Sequence, residues 1–596
     1  METNGSGHAA SVFTNLKDKH MFLRLQRMAF LAYVIIPFCP ANSQEVDLVF
    51  HHGRIVTVDN QFSIAQAMAI AGDRLIAVGS NEAVLARKGP NTKLIDLAGK
   101  MVLPGLIDSH VHAPDAAIYE FDHVVPEMES IGDVLSYLRT RTQVVPEGEW
   151  ISVSQVFVTR LKEPRFPTRM ELDQVAPKHP VAFRTGPDAA LNSLALERSG
   201  IGEDFQISDG EPGHLERDPK TGRLNGILRS CSRLIQSKPS GKSPTNDEKA
   251  IALKRMLHDY NRVGLTSVSD RNASDLGIEL YQALLAKNEL SCRVYLYYGI
   301  NAQEKIETLE EKIPTIGKHP LREYNSMLWL RGVKIFLDGG MLTGSAYMRK
   351  PWGKSEIYSI TDPDYRGLLY VQEDKLYRIS KAVIANELQM TAHSVGDGAI
   401  HALIDAYARV NQEISLEGKR PCITHCNFLS AEAIASMKKL GLVADLQPAW
   451  LWLDGQTLLN QFGEDRTLYF QPYRTLIDQG VIVGGGSDHM QKVGSFRAVN
   501  PYNPFLGMWI AVQRTPRRTD QVFHAEQRIS REEAIRLYTI NNAYLTFEEK
   551  QKGSLEADKL ADFIILDRDI LSCPIDDLRS AEVLSTYVGG KMVYQK

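Results

Sequence analysis

The sequence predicts an α/β protein: a (β/α)8 barrel with a small β-domain assembled from both ends of the chain. Three observations predict it. Both ends are β-rich, while the long middle alternates strand-like apolar runs with amphipathic helical stretches. Four apolar runs end in histidine or aspartate where a buried strand should stop: Leu103 to His112, Leu388 to His393, Cys422 to His425 and Val481 to Asp488. The last three endings are spaced in near multiples of one βα unit. His425 follows His393 by 32 residues and Asp488 follows His425 by 63, against roughly 30 per unit in a barrel of about 250 residues.

The chain of 596 residues is 43% hydrophobic and 23% charged, enough apolar material for a large core. Its formal net charge of -4 leaves no footprint for nucleic acid and no polybasic surface for anionic lipid. The expected partner is a small-molecule substrate.

At the N-terminus, Arg24 and Arg27 precede the apolar run Met28 to Phe38 and then Ala41-Asn42-Ser43. A basic flank, a short apolar segment and a small-x-small site read as an export signal over residues 1–43, with Met21 as an alternative start. The apolar run is too short for a comfortable bilayer span. The expected product is exported, periplasmic or secreted, with no stable membrane span after cleavage. Cys39 leaves with the signal, and Cys231, Cys292, Cys422, Cys426 and Cys573 are scattered and odd in number. They read as single buried thiols rather than a disulfide framework.

Taken in order, Val46 to Phe50, Arg54 to Val58 and Arg74 to Val78 are β-rich runs separated by polar turns, and they assign residues 44–100 to the β-domain. Asp562 to Leu566, Val583 to Val588 and Lys591 to Tyr594 add residues 546–596 to it. The barrel occupies 101–545. Leu376 to Asn386 and Ala431 to Leu440 are helical stretches, each followed by a strand, as parallel βαβ units require. His112 and Lys334 are 222 residues apart, too far for three plain units, so an insertion is expected at about 114–248. Within it, Ser237 to Asp247 reads as a solvated loop.

His110 and His112 are two apart. In a strand they share a face, and the C-terminal end of a barrel strand is where reactive groups sit. Neutral imidazole binds zinc, iron, nickel or manganese. Alone the pair is a weak signal; His393, His425 and Asp488, placed on strands 5, 6 and 8, strengthen it. Lys334 lies inside the apolar run Arg331 to Gly339, on strand 4, where burying an ammonium is costly. Either it pairs with a carboxylate such as Asp338, or CO2 converts it to an anionic carbamate able to bridge two metals. Trp450, after strand 7, is a candidate pocket wall. His489 and Tyr347 are candidate substrate contacts. His401 reads as a helix residue and His51-His52 as solvent-facing.

With these pieces assembled, the chain resembles the amidohydrolase superfamily, in particular its YtcJ-like group (amidohydrolase family 3). The resemblance rests on Pro104 to His112, Val333 to Gly339, His393 to Ile400, His425, Ser487-Asp488 and Gly553 to Asp562. It implies a distorted barrel plus a β-sandwich from both termini. It also implies a metal site of His110, His112, Lys334, His393, His425 and Asp488, holding one or two divalent ions, zinc foremost, with N6-carboxylysine at Lys334. The implied activity is hydrolysis of carbon–nitrogen bonds other than peptide bonds, in an amide, N-acyl or cyclic amide, through a metal-activated hydroxide. Asp488 is the implied acid–base and His425 a second catalytic group. Homo-oligomers are common in such families. The run Gly339 to Tyr347, and His489-Met490 after Asp488, depart from the usual pattern, so no relative's substrate transfers. Deamination or ester hydrolysis on the same centre, and a non-catalytic binding or regulatory role, stay open as alternatives.

Overall fold

Eight parallel strands supply the frame, in chain order β1 (Leu106–Val111), β2 (Leu265–Ala273), β3 (Arg293–Gly299), β4 (Leu328–Phe336), β5 (Gln389–Ser394), β6 (Cys422–His425), β7 (Val443–Leu446) and β8 (Val483–Gly485). Each pairs with its sequence neighbour, giving one sheet in strand order. The computed structural model describes residues 45–596 apart from 155, 212, 239–240 and 492–493. The expected export signal, from Arg24 to Ser43, lies outside the described residues.

The strands form because their apolar runs are covered on both sides. β5, β6, β7 and β8 are almost wholly buried, as parallel strands sandwiched between core and helices must be. Register carries the strand ends to one rim: Phe336 pairs with His393, Ser394 with His425, and Thr424 with Asp445. The sheet closes on itself just past β8. Val111 forms a parallel bridge with His489, the Asp488 N–H donates to the His110 carbonyl at 2.7 Å, and the His112 N–H to the His489 carbonyl at 2.8 Å. Gly486 permits that approach, since a Cβ there would sit 2.6 Å from Ser109 Oγ and 2.8 Å from the His110 nitrogen.

Helices cover the outside. The long helix before β2, Asn246–Arg262, starts at a capping box in which Thr245 and Glu248 exchange hydrogen bonds, so the loop expected to reach Asp247 ends at Thr245. The helix Ala431–Leu440 is capped by Ser430 and ends on left-handed Gly441.

Between β1 and β2 the chain builds a sheet of its own, ordered 214–217, 224–229, 188–191, 181–185, 151–154. Two small cores flank it, one including Val134, Leu138 and Phe183, the other Leu191, Leu196 and Leu228. Both ends of the chain meet in a six-stranded sheet, where Phe563–Leu566 pairs with Met101–Pro104. A four-stranded sheet of N-terminal strands shares its core, and Phe50 packs edge-on against Phe563 at 5.0 Å.

Arg293 at the start of β3 meets Asp562 of the C-terminal segment in a two-pronged pair of 2.7 and 2.8 Å, both side chains buried. Burial pushes the Asp562 carboxyl up, but the guanidinium and the Gly589 N–H outweigh it and hold the group below its ordinary value. Asp562→Ala is expected to destabilise the fold by about 3–5 kcal/mol, because it strands a buried arginine; denaturant unfolding at neutral pH measures it. A depressed folded pKa gives stability that is complete above the ordinary carboxylate value and is lost as pH falls through the folded value. The cost of the substitution should therefore shrink in acid, below about pH 4.

Candidate metal centre

At the barrel rim three ligand atoms converge. His110 Nε2 lies 3.3 Å from His112 Nε2 and 3.1 Å from Asp488 Oδ1, and His112 Nε2 lies 3.2 Å from the same oxygen. All three residues are buried or nearly so. Asp488 reaches the group with its backbone in the left-handed region (φ 57°), as does His425 (φ 76°), a costly geometry for residues other than glycine that tends to be kept at functional sites.

The partners behind these atoms set their chemistry. His110 Nδ1 lies 3.0 Å from Asp445 Oδ2, so the ring proton sits there and Nε2 keeps its lone pair. That lone pair then faces a carboxylate oxygen at 3.1 Å, an arrangement of two acceptors that a cation between them would satisfy. The separations of 3.1–3.3 Å match the edge of a tetrahedral shell with bonds of about 2.0–2.1 Å, roughly 3.3 Å. Nitrogen, nitrogen and carboxylate oxygen form a donor set for zinc and similar divalent ions. The residues present fit a divalent metal.

Asp445 is itself held. It accepts from Ser109 Oγ at 2.5 Å and from Gln447 Nε2 at 3.2 Å, and pairs with Arg271 Nε at 3.1 Å, all fully buried or nearly so. Arg271 also lies over the Tyr297 ring and donates to the Ser109 carbonyl. Gln447 Oε1 lies 2.7 Å from His425 Nδ1 and orients that ring. A carboxylate or amide behind a ligating imidazole fixes its tautomer and raises its basicity.

A second group adjoins the first. The His425 ring stacks on His110 at 5.1 Å and meets His393 edge-on at 4.5 Å. Burial, and then the nearby Lys334 charge, drives His110 well below its ordinary value and brings His393 down to about 3. Burial, then His393 and His110, do the same to His425. All three imidazoles are therefore neutral, the form that binds metal.

Lys334 is buried and, among the described residues, makes no ion pair. Burial pushes its ammonium down to about 8, although Asp488 pulls the other way. The expected pairing with Asp338 does not form. Asp338 instead accepts the backbone N–H groups of Tyr347, Val395 and Gly396 at 2.9–3.0 Å, and burial lifts its carboxyl to about 7. It braces the loop after β5.

The structure thus brings His110, His112, Lys334, His393, His425 and Asp488 to one rim. Trp450 lines the adjoining cavity and stacks on His425 at 4.7 Å. His489 does not line it: the ring is buried beside Tyr260, whose hydroxyl lies 2.9 Å from Nδ1, and beside Tyr502. Tyr347 does not line it either. Its carbonyl accepts from Gly398 and Ala399, and its ring lies against Gly398. Neither of the two expected substrate contacts is on the wall of this cavity.

Residues that sequence reasoning missed include Asp445, Gln447, Arg271 and Asn500. The Asn500 amide donates to the Asp488 carbonyl at 2.7 Å and accepts from Trp450 Nε1 at 3.3 Å. For Asp445 and Gln447 a signal existed, two polar residues two apart in the otherwise apolar run Val443 to Gln447. The five described cysteines are free; four are buried, as expected, and Cys573 is partly exposed.

Residues 93–594 match the amidohydrolase family. The N-substituted formamide deformylase of Arthrobacter pascens is 28% identical over 567 residues, 93% of this chain and 99% of that protein. The putative amidohydrolase YtcJ of Bacillus subtilis is 24% identical over 560 residues, 92% of this chain and 99% of that protein. Among solved structures, an uncharacterized metal-dependent hydrolase from Pyrococcus horikoshii superposes with a TM-score of 0.64 at 22% identity, covering 89% of this chain and 99% of that one. That likeness concerns the fold. With the family match spanning most of its length, the chain belongs to the amidohydrolase family.

Proposed function

We propose that the protein is a metal-dependent hydrolase of carbon–nitrogen bonds other than peptide bonds, acting on an amide, N-acyl or cyclic amide substrate. The observation that carries this reading is the meeting of His110 Nε2, His112 Nε2 and Asp488 Oδ1 within 3.3 Å at the mouth of the barrel. Similarity to a deformylase of N-substituted formamides supports the bond type.

His110, His112 and Asp488 would hold one ion, and His393 and His425 a second, with zinc the first candidate. A bound divalent cation acidifies water and polarises a carbonyl. Asp488 accepts the proton of the attacking water and returns it to the leaving nitrogen, so that a C–O bond forms, the C–N bond breaks, and acid and amine depart. His425, held by Gln447 and flanked by Trp450, positions the carbonyl. Lys334, buried without a counter-ion, is proposed to react as the free amine with CO2, forming an N–C bond and releasing a proton. The resulting carbamate would add a negative charge beside the histidines and could serve as a further ligand.

Metal analysis and turnover on formamides, other amides and cyclic amides test the reading. Release of acid plus amine supports it, ammonia from an amino-substituted ring would indicate deamination, and no turnover by zinc-loaded protein overturns it. Chelation should lower activity by at least about 100-fold, reversibly on adding zinc. Lys334→Ala should lose the mass of one CO2 in native spectrometry and bind one ion fewer. Retention of two ions would remove the carbamate from the proposal. Export is likewise proposed, and the mature N-terminus recovered from fractionated cells decides it.

A further inference from the structure

The cavity beside the metal centre carries information about what its substrate looks like. It is open to solvent on one side and has a volume of about 270 Å³. Its walls are apolar: Phe157, Phe336, Met341, Leu342, Trp450 and Met490 dominate them. Phe336, at the end of β4, is 43% exposed, an unusual state for a phenylalanine packed on His393 and over Lys334 and one that an apolar ligand would relieve. An apolar cavity of about 150 Å³ holds one benzene, so this one admits a ring with a short linker.

Two of the polar side chains on the wall are already engaged. Asp338 is taken by three backbone N–H groups. The Asn500 amide spans Trp450 and Asp488. No lysine or arginine lines the cavity among the described residues. Two arginines beyond it are committed: Arg160, near Phe157, is bonded to both Asp454 oxygens. Arg229, beyond Thr343, is tied to Asp188 at 2.8 Å and Glu216 at 2.6 Å. A carboxylate on the non-reacting part of a substrate would be dehydrated against this apolar wall, with no lysine or arginine lining it among the described residues.

We propose, building on the hydrolase reading, that the enzyme takes uncharged amides whose non-reacting group is aromatic or branched aliphatic, and rejects the same molecule carrying a carboxylate on that group. N-acyl amino acids with a free carboxylate are thereby excluded as good substrates. Leu342 on the wall is the specificity-determining position open to test.

The experiment uses the zinc-loaded full chain and matched pairs. For turnover, para-methylbenzyl and para-carboxybenzyl formamide are compared. For binding, para-methylbenzyl alcohol and para-(hydroxymethyl)benzoate are titrated calorimetrically, because neither can be hydrolysed. The methyl member should be favoured by at least about 100-fold in kcat/KM and should bind measurably tighter. Leu342→Arg should narrow or reverse both preferences by supplying the missing cation. Equal or better use of the carboxylate by the unmodified protein, or no binding of either alcohol, overturns the inference. The two readings fail separately. Selective binding of the methyl alcohol without any turnover sinks the hydrolase reading and supports the pocket. Turnover with a carboxylate preference sinks the pocket inference alone.

Discussion

Asp488→Asn is expected to lower kcat by about 10²- to 10⁴-fold, the range associated with losing a positioned general base, while leaving the protein folded and metal-loaded. Asparagine keeps the volume and one carbonyl oxygen to replace Oδ1 beside His110 and His112, and the Asn500 bond to the Asp488 main-chain carbonyl is unaffected. What disappears is the capacity to take and return a proton. KM should move far less than kcat, because the group acts in the bond-breaking step rather than in holding substrate. Steady-state kinetics with metal content measured on the same preparation separates the cases. Near-normal turnover would remove Asp488 from the role of base, and metal loss in parallel with activity would reduce it to a ligand.

Asp445→Ala should damage stability and metal binding together. This carboxylate touches no substrate, yet it holds His110 Nδ1, Ser109 Oγ and the Arg271 guanidinium in a dry interior. Removing it leaves Arg271 buried and unpaired, at a cost of about 3–5 kcal/mol. It also frees the His110 ring to change tautomer, which should weaken metal affinity by about 10- to 100-fold. The double change Asp445→Leu with Arg271→Met separates the effect on folding from the effect on the metal site. Replacing both charges with apolar groups should restore most of the lost unfolding free energy without restoring metal affinity. Recovery of both would mean that Asp445 serves the fold alone, and normal metal affinity in the single variant would dismiss it as a positioning residue.

Much of the centre was legible before any coordinates because it follows a local rule. His110 and His112 share a face through the two-residue period of a strand, and His393, His425 and Asp488 mark the ends of apolar runs at barrel spacing. The period of two does not carry on to His489: Asp488 is left-handed (φ 57°) rather than extended, and the next ring packs beside Tyr260 and Tyr502. Asp445 and Gln447 obey the His-x-His logic and were within reach of it. Arg271 was not, since the carboxylate that explains its burial lies on β7, far along the chain. The long interval after His112 was readable only as excess length; its five-stranded sheet comes from pairings among short strands whose patterns are weak one at a time.

The sequence by itself determined the barrel, the order of its strands and the residue types at their ends, because hydrophobic periodicity and strand spacing are properties of a few neighbouring residues. Only the tertiary structure decided that three ligand atoms meet within 3.3 Å, that Lys334 makes no ion pair with Asp338, and that the cavity wall is apolar. Those outcomes depend on barrel closure between residues nearly four hundred apart, Ser487 against Asp108 among them, and on burial. Burial fixes which charges can persist only after the whole chain has assembled around them.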